Sequence, residues 1–140
     1  MRVLIVDDHS LFCEGLALLL KSVGEVSLVQ SCPRAAQALV LAKEQDWDLI
    51  LLDWNLGSGD APGAELLAAV KTLRPETRVV VVSADTRRER VHEAIEAGAV
   101  GFVPKEASAD LLIDAIRITS HGGIYLPAHV LQATHALPQI

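Results

Sequence analysis

Four short and almost purely aliphatic runs punctuate the chain: Val3–Val6, Leu49–Leu52, Val79–Val82 and Ala99–Val103. Strands of a parallel sheet look like this, because helices cover both faces and no position is left for alternating polar residues. A fifth run, Val26–Gln30, is interrupted by Ser27 and predicts an edge strand. Between the runs the apolar residues switch to helical spacing. Phe12, Leu16, Leu19, Leu20 and Val23 share one stripe, with Ser10 as expected N-cap and Gly24 as expected C′ residue. Pro33 suits the first turn of a second helix that turns Ala36, Leu39 and Val40 inward. Leu66, Leu67, Val70 and Leu73 form a third stripe, stopped at Arg74 by Pro75. Val91, Ala94 and Ile95 form a fourth, ended by Gly98. Leu111, Leu112, Ala115 and Ile116 form a fifth, capped by Ser108 and closed by Gly122 and Gly123.

Strict strand–helix alternation, five times over, implies right-handed crossovers and a parallel sheet with helices on both sides. The expected fold is therefore α/β, a flavodoxin-like doubly wound five-stranded sheet of order 2-1-3-4-5 with five helices. Residues 1–121 form the expected domain. Residues 122–140, with Pro127 and Pro138 and no strong period, read as a tail or the start of a linker.

Composition narrows the function. In 140 residues, 51% apolar content supplies a sizeable core and 21% charge argues against disorder. The formal charge of −6 disfavours a surface built for nucleic acid or anionic lipid. Cys13 and Cys32 have no metal-ligand or redox spacing and read as reduced core residues. Met1 leads into a short apolar run ended by Asp7 and Asp8, not into a signal peptide, and no run could span a bilayer. A cytoplasmic protein is expected.

The polar residues that end the aliphatic runs are the informative ones. In open α/β sheets, ligands bind at the carboxyl ends of the strands, where strand order reverses. Asp7 and Asp8 end strand 1, Asp53 strand 3, Ser83 strand 4, and Pro104-Lys105 strand 5. Three carboxylates, a hydroxyl and an ammonium should thus converge on one rim. Crowded carboxylates raise one another's pKa unless a cation intervenes. Hard divalent ions with oxygen ligands do this, Mg²⁺ keeping waters and phosphate oxygens beside one or two carboxylates. The set suits phosphoryl transfer, which depends mainly on positioning and charge neutralisation.

The pieces Val6-Asp7-Asp8-His9, Leu52-Asp53-Trp54-Asn55-Leu56, Val82-Ser83-Ala84 and Gly101-Phe102-Val103-Pro104-Lys105 together resemble the receiver domains of NarL/LuxR-type two-component response regulators. Gly122-Gly123-Ile124-Tyr125-Leu126-Pro127 resembles the segment that follows the receiver there, so the likeness covers about residues 2–127. The resemblance implies that Asp53 is the phosphoacceptor for a sensor histidine kinase. It gives Asp8 as direct metal ligand, Asp7 as a ligand acting largely through water, and the backbone carbonyl of Asn55 as completing an Mg²⁺ shell, with Mn²⁺ as a substitute. Ser83 becomes the switch hydroxyl, Lys105 the phosphate-binding lysine, and Phe102 the switch aromatic. It further implies a homodimer favoured by phosphorylation, on the face made by the fourth helix, the fifth strand and the fifth helix. DNA would be reached only through an output domain that these residues do not contain. Self-catalysed phosphoryl transfer and slow autodephosphorylation would be its only enzymatic acts. Two departures stand out. Gly57 occupies the position four after the acceptor where the family usually has proline, and the Gly57–Gly63 loop is about two residues longer than the common pattern, predicting extra flexibility. Phe102 lacks the hydroxyl that a tyrosine would carry.

Other readings compete. Asp7-Asp8 could be an ordinary helix-initiating turn and Ser83 a turn former; His9 reads as a surface loop residue, and Arg87, Arg88 and Arg90 as a solvated face. Trp47 should plug the core edge and Trp54 shield the acceptor. An FMN carrier would need a hydroxyl-rich phosphate loop where Asp7-Asp8 stand. A phosphatase of the haloacid dehalogenase type needs an acid two residues after its nucleophile, where Asn55 and His9 stand. A stand-alone or degenerate receiver, acting only as an interaction module, remains the alternative.

Overall fold

The computed structural model describes residues 1–57, 59–60 and 62–130. Its order is β1 (Arg2–Val6), α1 (Ser10–Lys21), β2 (Leu28–Cys32), α2 (Ala35–Glu44), β3 (Leu49–Asp53), α3 (Gly63–Leu73), β4 (Arg78–Ser83), α4 (Arg88–Glu96), β5 (Gly101–Pro104) and α5 (Ala109–Ser120). All strand pairs are parallel, and the order β2-β1-β3-β4-β5 is the doubly wound one expected from the alternation.

The aliphatic runs are buried on both faces, and successive residues part company. Leu4, Val6, Ile50, Leu52, Val79, Val81 and Phe102 join α2, α3 and α4 in one core layer. Val3, Ile5, Leu49, Leu51, Val80, Val82 and Val103 join α1 and α5 in the other. At about 1.5–3 kcal/mol per fully buried aliphatic side chain, these two layers supply the main drive to fold. Trp47 is buried as expected, its indole N–H donating to Leu41 O at 3.0 Å.

Several boundaries differ from the sequence pattern. β2 starts at Leu28, not Val26, and pairs Leu28 with Arg2 through Cys32 with Val6. Val26 instead closes a turn onto Val23 O. An edge strand that is mostly exposed carries too little burial signal to fix its start. Ala99 likewise precedes β5, capped against Ala94 O. In α1, Ser10 lies inside the helix and His9 is the N-cap, with no side-chain cap. The helix closes at Ser22, ahead of Gly24. Pro33 stands before α2 rather than in its first turn, and the helix buries Ala35, Ala38 and Ala42 while Ala36 and Val40 face outward. Small residues let α2 sit close on the sheet, so the larger Val40 was a misleading guide to the inner stripe. Leu73 is similarly outside the buried part of α3. The caps at Ser108, which accepts from Leu111 N, and at Gly122, with φ +94°, hold as expected.

After α5 the chain runs beside β5. Tyr125 N–H donates to Val100 O and Phe102 N–H donates to Tyr125 O, both at 3.0 Å, and Val130 is buried. The last part of the expected tail, residues 131–140 with Pro138, lies outside the described residues, as do Ser58 and Ala61 in the Gly57–Gly63 loop.

Gly63 opens α3 against the ring and carbonyl of Trp54, and a Cβ there would sit 2.6 Å from the indole Cε3 and 2.8 Å from the carbonyl oxygen. Gly63→Ala is expected to destabilise the fold by about 1–3 kcal/mol, the usual cost of overpacking. Urea unfolding checks it; an unchanged midpoint would mean that Trp54 moves aside freely.

Candidate functional site

Parallel strands carry their C-terminal residues to one rim. The pairing places Val6 beside Leu52, Asp53 beside Val82, and Ser83 beside Pro104, so Asp7, Asp53, Ser83 and Lys105 emerge within neighbouring strand ends. Lys105 Nζ lies 2.9 Å from Asp7 Oδ2 and 3.4 Å from Asp53 Oδ2. Asp7 and Asp53 are buried, 3% and 5% exposed, while Asp8 is open to solvent. Local turns aim the two buried carboxylates: His9 N–H donates to Asp7 Oδ1 at 2.9 Å, and Asn55 N–H to Asp53 Oδ1 at 3.2 Å. Phe12 lies under the lysine, its ring centre 4.8 Å from Nζ, which favours the charged head there.

The electrostatics follow from this crowding. Burial raises the Asp53 carboxyl above the usual range and the Asp7 charge adds to it, against the Asn55 N–H and the Lys105 ammonium. For Lys105, burial works the other way, but the Asp7 and Asp53 carboxylates outweigh it and the ammonium is held above its ordinary value. Burial, then the Asp7 charge, pushes the Cys13 thiol up, and burial takes Cys32 to about 11; neither is a nucleophile at neutral pH.

Asp7, Asp8, His9 and Asp53 offer ligand atoms that all lie within 4.8 Å of one another. Among the described residues, Asp7 Oδ2 is buried with no hydrogen bond of good geometry, and the Lys105 ammonium lies 2.9 Å from it. An oxygen-rich set of this kind, half buried and with one under-satisfied oxygen, fits a hard divalent cation.

His9 departs from the sequence reading. Its ring is 64% exposed, but Nδ1 reaches 2.9 Å from Asp7 Oδ1, 3.2 Å from Asp8 Oδ1 and 2.9 Å from Lys105 Nζ. If Nδ1 carries the proton it donates to Asp7; if not, it accepts from the ammonium. Its place directly after the acid pair was the available signal. Gly57 was also missed as a site residue: at φ +99° it passes so close that a Cβ would be 3.3 Å from Asp8 Oδ2. The loop that follows is tied down, since Ala35 N–H at the start of α2 donates to Asp60 Oδ2 at 3.2 Å. A carboxylate at a helix start replaces the missing cap of α2, an effect visible only once residues 25 apart in sequence meet.

Ser83 is fully buried, and its hydroxyl is engaged locally, accepting from Asp85 N–H at 3.1 Å and donating to Asp85 O at 3.2 Å. Phe102 is also fully buried, inside the layer that carries α4. The arginines of α4 are not simply solvated. Arg87 and Arg90 both bridge to Asp85, and Arg90 also pairs with Glu93. The Arg87 guanidinium draws the Asp85 carboxyl down to about 2.

The response regulator receiver domain matches residues 3–117. The chain belongs to that family. Similar proteins include the "Probable transcriptional regulatory protein NarL" of Mycobacterium tuberculosis, 35% identical over 83% of this chain and 53% of that protein. DegU of Brevibacillus brevis, a transcriptional regulatory protein, is 31% identical over 98% of this chain and 56% of its own length. A LuxR family DNA-binding response regulator from Silicibacter pomeroyi superposes with TM-score 0.77 at 34% identity, over 91% of this chain and 97% of that one. The chain spans little more than half the length of the relatives it matches. It is thus a receiver domain of the NarL/LuxR type, related to two-component transcriptional regulators. Among the described residues no helix is long and apolar enough to cross a membrane.

Because the folded receiver holds the Asp53 proton above the unfolded range, ionising this carboxyl opposes folding. That cost is absent at acid pH and complete above the folded value, so this group makes stability fall as pH rises through the window between the two. Asp53→Asn is expected to be more stable than wild type at pH 7, with the gain shrinking as pH falls into the carboxylate range. Denaturant titrations at two pH values check it, and a gain independent of pH would contradict the burial argument.

Proposed function

We propose that this receiver takes a phosphoryl group from the phosphohistidine of a sensor kinase onto Asp53 and uses it to switch an output. The observation that carries the reading is the Lys105 ammonium set between two buried carboxylates, Asp7 and Asp53, at the strand-end rim. An Asp53 carboxylate oxygen attacks phosphorus; the new P–O bond replaces the P–N bond, and the histidine nitrogen leaves with the electron pair and takes up a proton. Asp7, Asp8, Asp53 and the Asn55 carbonyl would hold Mg²⁺, or Mn²⁺ in its place, which when bound neutralises charge on the phosphoryl oxygens and the acids. Lys105 gives one donor to the phosphoryl group. Ser83 gives another, once its hydroxyl leaves the Asp85 backbone. Phosphorylation adds about −1.5 to −2 of charge, enough to draw both groups and bias a pre-existing equilibrium. Phe102, packed in the core layer of α4, would report the change by ring burial alone.

On this reading the α4-β5-α5 face becomes the dimer surface, and control of transcription passes through a DNA-binding domain of the kind its relatives are named for. The domain would be residues 1–121 and the remainder the start of the connection. A receiver acting only as an interaction module is the second reading; the two glycines of positive φ beside Asp8 and Asp60, Gly57 and Gly59, favour it by leaving the acceptor loop unlike the common one.

Incubation with acetyl phosphate or phosphoramidate and Mg²⁺, followed by intact mass measurement, is expected to add one phosphoryl unit that is absent in Asp53→Ala; no gain in wild type would favour the module. Mg²⁺ at a hundred times its dissociation constant should stabilise the fold by about 2.7 kcal/mol, read as a rise in Tm that Asp8→Ala abolishes. Light scattering with beryllofluoride should show a rise in mass if the face pairs on phosphorylation, and an unchanged mass would remove the dimer.

A further inference from the structure

The loop after β4 is held by two ties, and one comes from outside the strand–helix core. Inside the loop, the Ser83 hydroxyl is bound by the Asp85 backbone, and the Asp85 carboxylate is clamped by Arg87. From outside, His129 Nε2 lies 2.7 Å from the carbonyl oxygen of Thr86. A carbonyl only accepts, so Nε2 carries the proton and donates; an imidazolium would donate as well. The segment that delivers His129 is itself anchored. Gly123 N–H donates to Ile118 O at 2.9 Å, Tyr125 is hydrogen-bonded on both sides to Val100 and Phe102, and Val130 N–H donates to Pro127 O at 3.1 Å. Val130 is buried in the same layer as Phe102, Val91 and Ala94, and Leu126 packs against that layer.

We propose that residues 123–130 form a strap, and that His129 is a positioning residue which holds the Ala84–Arg87 loop in the geometry that keeps Ser83 turned away from Asp53. The inference rests on phosphorylation at Asp53 as proposed above. For Ser83 to reach a phosphoryl oxygen, its hydroxyl must release the Asp85 backbone, and Thr86 follows within three residues. The His129 bond is then strained or lost. By linkage the effect runs both ways: whatever loosens the strap favours the phosphoryl-bound loop, and occupancy of Asp53 loosens the strap. The strap lies against both β5 and the β4–α4 loop, so the state of Asp53 is passed to the part of the chain that leads out of the receiver.

The test uses the full 140-residue chain with Mg²⁺ and beryllofluoride, bound ligand being followed by ¹⁹F NMR and the strap by amide hydrogen exchange. In wild type, the 124–130 amides are expected to exchange faster when beryllofluoride is bound. His129→Ala should tighten beryllofluoride by about two- to tenfold, the effect of losing one hydrogen bond that favours the unbound loop. His129→Gln, which keeps a donor near Nε2, should return the affinity towards wild type, a rescue that loss of packing would not give. Binding with unchanged strap exchange, or equal affinity in wild type and His129→Ala, would overturn the strap while leaving phosphorylation of Asp53 intact. Failure of wild type to bind beryllofluoride would overturn the function reading and the strap together.

Discussion

Two carboxylates that should not sit together are buried side by side at the end of a parallel sheet, and one ammonium makes this tolerable. Asp7 and Asp53 leave adjacent strands, and Lys105 reaches both from the far side of β4. Burying either acid without the lysine would leave an uncompensated charge, at a typical cost of several kcal/mol. The aliphatic strands behind them fix the backbone, so the acids cannot retreat from one another. The site therefore carries built-in electrostatic tension, expressed in the raised Asp53 proton affinity and the raised Lys105 one. A divalent cation placed among these oxygens would offset the negative charge that the single ammonium balances only in part.

The same constraint organises the surroundings. His9 lies over the acids, its backbone N–H donating to Asp7 Oδ1 and its ring Nδ1 2.9 Å from the same oxygen. Gly57 is glycine where the chain passes Asp8 at positive φ, and Asp60 anchors the following loop to the start of α2. That single bond ties Asp60 to a helix terminus 25 residues earlier in the chain. On the other side, the Ser83 hydroxyl is occupied by the Asp85 turn, donating to Asp85 O and accepting from Asp85 N–H.

Much of this was legible before any coordinates. The four aliphatic runs gave four strands because burial on both faces leaves a one-dimensional signal, the mixed run at Val26–Gln30 gave the edge strand, and alternation with helical stripes gave the sheet order through the handedness of crossovers. Strand-end position then brought Asp7, Asp53, Ser83 and Lys105 to one rim, where the structure has them. The exposed edge strand β2 and the alanine-lined α2 were misplaced or turned because their signals are weak: one has little to bury, and the other buries methyl groups that pattern reading ranks below valine.

What the sequence determined by itself is the backbone topology and which polar groups gather at the strand-end rim, because both follow from local periodicity and from the residues at run ends. What tertiary structure alone decided are the contacts between groups with no pattern linking them: His9 over the acid cluster, Asp60 on the start of α2, His129 on Thr86, and the engagement of Ser83 with Asp85. These depend on side-chain directions and on distances of a few ångströms between segments tens of residues apart, and no periodicity in one dimension encodes them.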